Sequence, residues 1–402
     1  MSKSPFEGVE LAPRDPIIGL TEAFVGDARP TKVNLGVGVY CDDNGKIPLL
    51  RAVREAEKAR VEAGVPRGYL PIEGLAAYDA AVQKLLFGGD SPLIAAGRLV
   101  TAQALGGTGA LKIGADLLKR ISPEAQVLIS DPSWENHRAL FEGAGFKVGT
   151  YPYYDAPTRG LNFAGMCAAL RAAPAGAIVA LHACCHNPTG VDLTNEQWRE
   201  VARICKAQGL VPMMDIAYQG FGEGVEADAA AVRLFAGEAV SFFVASSFSK
   251  SFSLYGERVG ALTIVTGSRD EAARVLSQLK RVIRTNYSNP PTHGGSIVAA
   301  VLADARLRGL WEEELAEMRN RIKAMRKALV DGMKARGVPG DFSYVLKQNG
   351  MFSYSGLTPA QVDRLRNEFG IYAVSTGRIC VAALNSKNID YVCDALAAVL
   401  RG

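Results

Sequence analysis

Short apolar runs alternate with amphipathic helical patterns through the middle of this chain. QVLIS (126–130), AIVALHA (177–183), GLVPMMD (209–215), SFFVASS (241–247) and GALTIVT (260–266) read as strands. Their near-continuous hydrophobicity fits strands covered on both faces. Between them, ALKIGADLLKR (110–120) and NEQWREVARICKAQ (195–208) carry the 3.6-residue period of amphipathic helices. This alternation predicts an α/β fold with an open, mostly parallel sheet flanked by helices.

Near residue 305 the pattern changes. Leu315, Met318, Ile322, Met325 and Leu329 recur at steps of three and four, the seam of one long amphipathic helix. A smaller unit follows, with GMFSYSGL (350–357), a helix at PAQVDRLRNEFG (359–370) and a strand-like IYAVSTGRICVA (371–382). The expected division is a large domain over 46–315 and a smaller α+β domain. The smaller one combines 1–45 with 316–402, and the long helix joins the two.

Composition narrows the function. The chain has 402 residues, 48% hydrophobic and 21% charged, enough for two cores. A net charge of +4 without Lys/Arg runs interleaved with aromatics argues against nucleic acid. The opening MSKSPFEGVELAPRDP lacks a signal-peptide core, and no apolar stretch approaches the roughly 20 residues of a membrane helix. Seven cysteines without framework spacing fit free thiols and a cytoplasmic protein. Cys184-Cys185-His186 has no CxxC partner, and adjacent strand residues face opposite sides, so no metal site is expected.

Candidate chemistry gathers after the strands. In ALGGTGALKIGADLLKR (104–120), glycines and a threonine open a helix, where free N–H groups and the dipole suit an anion. A plain tight turn explains that stretch equally well. Asp215 ends one apolar run, with Tyr218 shortly after; capping of the next turn is its alternative. Asn187 lies in the turn HNPTG, and Trp134 follows QVLIS as core or stacking plate. Lys250 stands in SSFSKSFSLYGERVG (246–260), just past a buried strand, with Arg258 nearby. Together these residues describe a site for a phosphorylated, aromatic, nitrogen-containing aldehyde. Lys250 would form a Schiff base, Arg258 and the serines would hold phosphate, and Asp215 would keep a ring nitrogen protonated.

These stretches, with DIAYQGFG, GGTGALK, IRTNYSNPP, GMFSYSGL and VNLGVGVY, resemble the class I (fold type I) pyridoxal-phosphate aminotransferases, in the aspartate and aromatic branch. The resemblance spans essentially the whole chain and keeps the family's motif order. It implies pyridoxal 5'-phosphate as cofactor, amino acids and 2-oxo acids as substrates, and a homodimer with shared sites. By the same resemblance Lys250 is the cofactor-bearing lysine and proton shuttle, and Asp215 the ring-nitrogen partner with His137 behind it. Tyr218 and Asn187 bond the cofactor's phenolic oxygen, and Trp134 stacks on its ring. Gly107, Thr108, Ser247, Ser249 and Arg258 form the phosphate cup, completed by Tyr69 of the neighbouring subunit. Arg378 clamps the substrate α-carboxylate, Arg284 reaches across the dimer to a distal carboxylate, and Gly38 covers the substrate.

Two specificities fit the rim positions Val39, Cys41, Ile47, Gly68, Thr108 and Asn289. Cys41 and Ile47 depart from the polar aspartate pattern, while Thr108 and Asn289 keep it. The expected activity is transamination of phenylalanine, tyrosine, aspartate and glutamate with 2-oxoglutarate. The alternative is an aspartate aminotransferase selective for dicarboxylates. A lyase or decarboxylase on the same fold is disfavoured by the paired arginines.

Overall fold

Strands β1 (Leu99–Leu105), β2 (Gln126–Asp131), β3 (Lys147–Pro152), β4 (Ile178–His182), β5 (Val211–Ile216), β6 (Phe242–Ser247) and β7 (Val259–Val265) form the central sheet. The computed structural model describes residues 4–12, 17–238 and 240–401. In space the strands run β1-β7-β6-β5-β4-β2-β3. All neighbours are parallel except β7, which runs antiparallel to both β1 and β6. The fold is therefore α/β with a mostly parallel sheet, as the alternation predicts.

Strands β6 and β7 are buried along their whole length because helices cover both faces of the sheet. Helix Gly106–Ile121 packs Leu111, Leu117 and Leu118 into one core. Helix Asn195–Gln208 buries Trp198, Val201 and Ile204 in the other. Its ends are written in the sequence: Thr194 and Gln197 form a capping box, and Gly209 closes the C-terminus at φ 62°.

The two edge strands, β1 (LVTAQAL) and β3 (KVGTYP), lie outside the strands that the apolar runs predict. In β1, Thr101 and Gln103 interrupt the apolar pattern yet are buried. Thr101 Oγ1 pairs with Thr263 Oγ1 at 3.1 Å, and Gln103 Nε2 donates to the Pro291 carbonyl at 2.7 Å.

The long helix runs over Ala305–Ala335, with Leu315, Met318, Ile322 and Leu329 buried and Met325 packed against the same core. It also buries Arg326, whose guanidinium donates to the carbonyls of Val345 (3.2 Å), Gly350 (2.8 Å) and Phe352 (2.5 Å). The strand-like 371–382 proves to be two short strands, Ile371–Tyr372 and Arg378–Cys380. Gly377, at φ 85°, turns the chain between them. Ile371–Tyr372 pairs parallel with Val33–Asn34, and Arg378–Cys380 pairs antiparallel with Phe352–Tyr354. The first pairing brings the N-terminal segment onto the C-terminal part. No described helix is long and apolar enough to cross a membrane.

Candidate active site

A cavity of about 580 Å³ opens beyond the carboxyl ends of β4, β5 and β6, the edge where α/β sheets hold ligands. Asp215 enters it from the end of β5 and is 8% exposed. His137 Nε2 lies 3.0 Å from Asp215 Oδ2, and Ser133 Oγ lies 3.0 Å from His137 Nδ1. The His182 ring stacks on His137 at 4.8 Å between centroids. Burial pushes the Asp215 carboxyl up. The hydrogen bond and charge of His137, with Lys250, outweigh burial and hold it below the usual carboxylate range. Asp215 Oδ1 is buried with no hydrogen-bond partner among the described residues.

Lys250 follows β6 through a tight turn and faces the same cavity. Burial drives its amine down to about 8; Asp215 opposes the shift, and Arg258 and Arg378 add to it. Lys250 Nζ sits 4.9 Å from the centroid of the Tyr218 ring. Burial pushes the Tyr218 phenol well up, so it stays protonated.

One end of the cavity is an anion cradle. Gly106 opens its helix at φ 70°, and a Cβ there would stand 2.4 Å from Arg258 Nη2. A Cβ on Gly107 would meet Ser247 Cβ at 3.0 Å. Arg258 Nη1 donates to Ser249 Oγ at 3.3 Å and to the Tyr255 carbonyl at 3.0 Å, and Ser247 Oγ lies 3.3 Å from Ser249 Oγ. Thr108 also lines the cavity. Helix N–H groups, hydroxyls and a guanidinium thus converge as a dianion requires.

Trp134 forms part of the wall, its ring edge-on to His137 at 5.3 Å. Opposite chemistry comes from Arg378, which is 1% exposed. It donates to Asn187 Oδ1 at 3.1 Å and to the Gly36 carbonyl at 2.6 Å, and lies 4.3 Å from the Phe352 ring centroid. Arg378 Nε is buried without a partner among the described residues. Gly38 lines the cavity against Phe352, where a Cβ would come within 2.7 Å of the ring.

A free carboxylate oxygen, a cradle for a dianion and an amine brought down to about 8 fit a phosphorylated pyridine aldehyde. Residues 30–396 match the family model described as aminotransferase class I and II. The chain belongs to this family. It is 68% identical to the aspartate aminotransferase of Pseudomonas aeruginosa over 99% of this chain and 100% of that one. To the aromatic-amino-acid aminotransferase of Escherichia coli it is 53% identical, over 98% and 100%. The crystal structure of the aromatic-amino-acid aminotransferase of Burkholderia pseudomallei, covalently bound to pyridoxal phosphate, matches with a TM-score of 0.97 at 73% identity. That match covers 99% of this chain and 100% of that one. This aminotransferase uses pyridoxal 5'-phosphate.

The aminotransferase cavity thus gathers Gly38, Gly107, Thr108, Trp134, Asn187, Asp215, Tyr218, Ser247, Ser249, Lys250, Arg258 and Arg378, with His137 packed behind Asp215. Two expected residues lie outside it. Tyr69 is 96% exposed, and Arg284, also exposed, turns its guanidinium to Ser288 Oγ. Sequence reasoning missed the lining residues Ile17, Ile18, Glu135, Asn136, His182 and Phe352. Glu135 and Asn136 stand directly after Trp134, so adjacency could have found them.

Contrary to expectation, Cys184 and Cys185 do not face opposite sides. Cys184 and Cys185 lie in the loop after β4, not on a strand, and Cys185 adopts φ 51°. Their sulfurs therefore do not point apart: with an Asp228 oxygen they lie within 4.8 Å of one another. Asp228, however, uses both oxygens to accept the N–H groups of Gly220, Gly222 and Glu223 at 2.8–2.9 Å. His137, His182 and Asp215 also converge within 4.8 Å; there His137 Nε2 bonds Asp215 Oδ2, while both ring nitrogens of His182 are buried without a partner among the described residues.

Proposed function

We propose that this enzyme exchanges amino groups between aromatic amino acids (phenylalanine, tyrosine), dicarboxylic amino acids (aspartate, glutamate) and 2-oxo acids, 2-oxoglutarate among them. The observation that carries the reading is one cavity holding a lysine amine at about 8, the free Asp215 oxygen and the free Arg378 Nε. Relatives named for both substrate classes, at 68% and 53% identity, support the breadth.

In this reading Gly107, Thr108, Ser247, Ser249 and Arg258 hold the cofactor phosphate, while Trp134 stacks on its ring. Asp215 Oδ1 accepts from the ring N–H, and His137 fixes the carboxylate and keeps it ionised. Asn187 and Tyr218 bond the phenolic oxygen. Bound pyridoxal phosphate supplies an electron sink that makes the substrate Cα–H bond labile. Lys250 Nζ carries the covalent anchor and, once released, takes the proton from Cα. Arg378 clamps the α-carboxylate, fixing which bond at Cα faces Lys250. The backbone at Gly38 closes over the substrate and excludes water.

We further propose a cytoplasmic homodimer in which Tyr69 and Arg284 serve the partner's cavity. Their exposure in a single chain supports this. A large domain of 46–315 and a small one of 1–45 with 316–402 is the proposed division, supported by the Val33–Ile371 pairing.

The test is a profile of kcat/KM for phenylalanine, tyrosine, aspartate and glutamate with 2-oxoglutarate. Turnover of both classes is expected. Aromatic donors below about a hundredth of aspartate would leave the dicarboxylate-selective reading, which the name of the Pseudomonas aeruginosa relative favours.

A further inference from the structure

Among the described residues lining the cavity, three charged side chains hold a buried polar atom without a partner: Asp215 Oδ1, Arg378 Nε and Glu135 Oε2. The proposed function matches the first to the cofactor ring N–H and the second to the substrate α-carboxylate. Glu135 has no assigned role. It opens the helix Glu135–Gly143 directly after Trp134. An acidic residue in a first turn complements the helix dipole. That effect needs only a carboxylate near the helix end, not an oxygen withdrawn from water. An oxygen so withdrawn is unfavourable until it receives a donor.

The rest of the cavity lining narrows the choice of donor. Ile17, Ile18 and Phe352 give the cavity apolar walls, with the Asn136 amide beside Glu135 in sequence. A distal carboxylate brings like charge and, at neutral pH, no proton to share. A phenyl ring brings no donor. A phenol or an indole fills apolar walls and carries one O–H or N–H at its rim.

We propose that Glu135 is a specificity-determining residue, accepting a hydrogen bond from the ring-borne donor of an aromatic substrate and so favouring tyrosine over phenylalanine. This rests on the aromatic activity proposed above. The test is the tyrosine-to-phenylalanine ratio of single-turnover kcat/KM in the holoenzyme, for the parent, Glu135→Ala and Glu135→Gln. A hydrogen bond to a charged acceptor predicts that the ratio falls about tenfold in Glu135→Ala. Glu135→Gln, which keeps a neutral acceptor oxygen, should fall between. A role confined to the helix end would lower the melting temperature of both variants and leave the ratio in place. An unmoved ratio in a parent active on both rings overturns this inference alone. A parent that turns over neither ring overturns it together with the aromatic reading.

Discussion

His137 Nε2 stands 3.0 Å from one oxygen of Asp215, and the other oxygen is buried and unpartnered. The histidine thus orients the carboxylate and leaves one lone-pair face for a ring N–H. Asp215→Ala should still take up the cofactor but lose about 10²–10⁴-fold in kcat, because the ring nitrogen loses its proton at neutral pH. An N-methylated cofactor, with its fixed positive charge, should return part of the rate. Absence of rescue, in a variant shown to bind that cofactor, would assign Asp215 a structural role.

Lys250 gives a pH signature in the cofactor-free protein. With its amine brought down to about 8, about a tenth is neutral at pH 7, far more than for an ordinary lysine. Acylation of Lys250 by an amine-directed reagent should rise with a midpoint near pH 8. Stability follows the same shift. Between about pH 8 and the unfolded value of 10.5, the unfolded chain binds more protons than the folded one, so stability rises with pH. Below about pH 8 the burial penalty is fully present. Urea unfolding at both ends of that window, for the cofactor-free parent and Lys250→Met, should show the parent gaining stability relative to the variant as pH rises, the buried cysteines and tyrosines titrating alike in both.

Gly106 couples chain conformation to the proposed phosphate cradle. Its φ of 70° and the 2.4 Å approach of Arg258 leave no room for a side chain. Gly106→Ala should strain the backbone by roughly 1–2 kcal/mol and displace the guanidinium. The expected result is a cofactor Kd raised more than tenfold, read by equilibrium dialysis. An unchanged Kd would mean that Arg258 does not hold the phosphate.

The two candidate carboxylate arginines separate by substrate. Every amino acid carries an α-carboxylate, so Arg378→Leu should harm all substrates alike. Arg284→Leu should cost aspartate about 10²–10³-fold in kcat/KM and leave phenylalanine level or improved. Equal losses for both substrates in Arg284→Leu would remove its distal-carboxylate role.

Legibility in the sequence followed local physics. The strands that carry Asp215 and Lys250 were readable because both of their faces are apolar, and the long helix because its seam keeps the 3.6-residue period. Strand β1 was hidden by Thr101 and Gln103, whose polar groups are satisfied by tertiary partners that no local pattern shows. The antiparallel turn of β7 left no mark in an apolar run that reads the same in either direction. In the site, residues carried by recognisable motifs converge on one cavity. Glu135 joins it by following Trp134 into the next helix and Phe352 from within the stretch GMFSYSGL, where no local pattern marks either side chain as facing the cavity, and Tyr69 and Arg284 lie on the surface of the single chain.

Lys250 is the amine proposed to carry the cofactor. Borohydride reduction of the holoenzyme, followed by proteolysis and mass spectrometry, tests it most directly. A pyridoxyl-phosphate mass addition fixed on Lys250 is expected, with its loss when excess glutamate is added before the reduction. A stable addition on another lysine, or none on Lys250 in active enzyme, would contradict it.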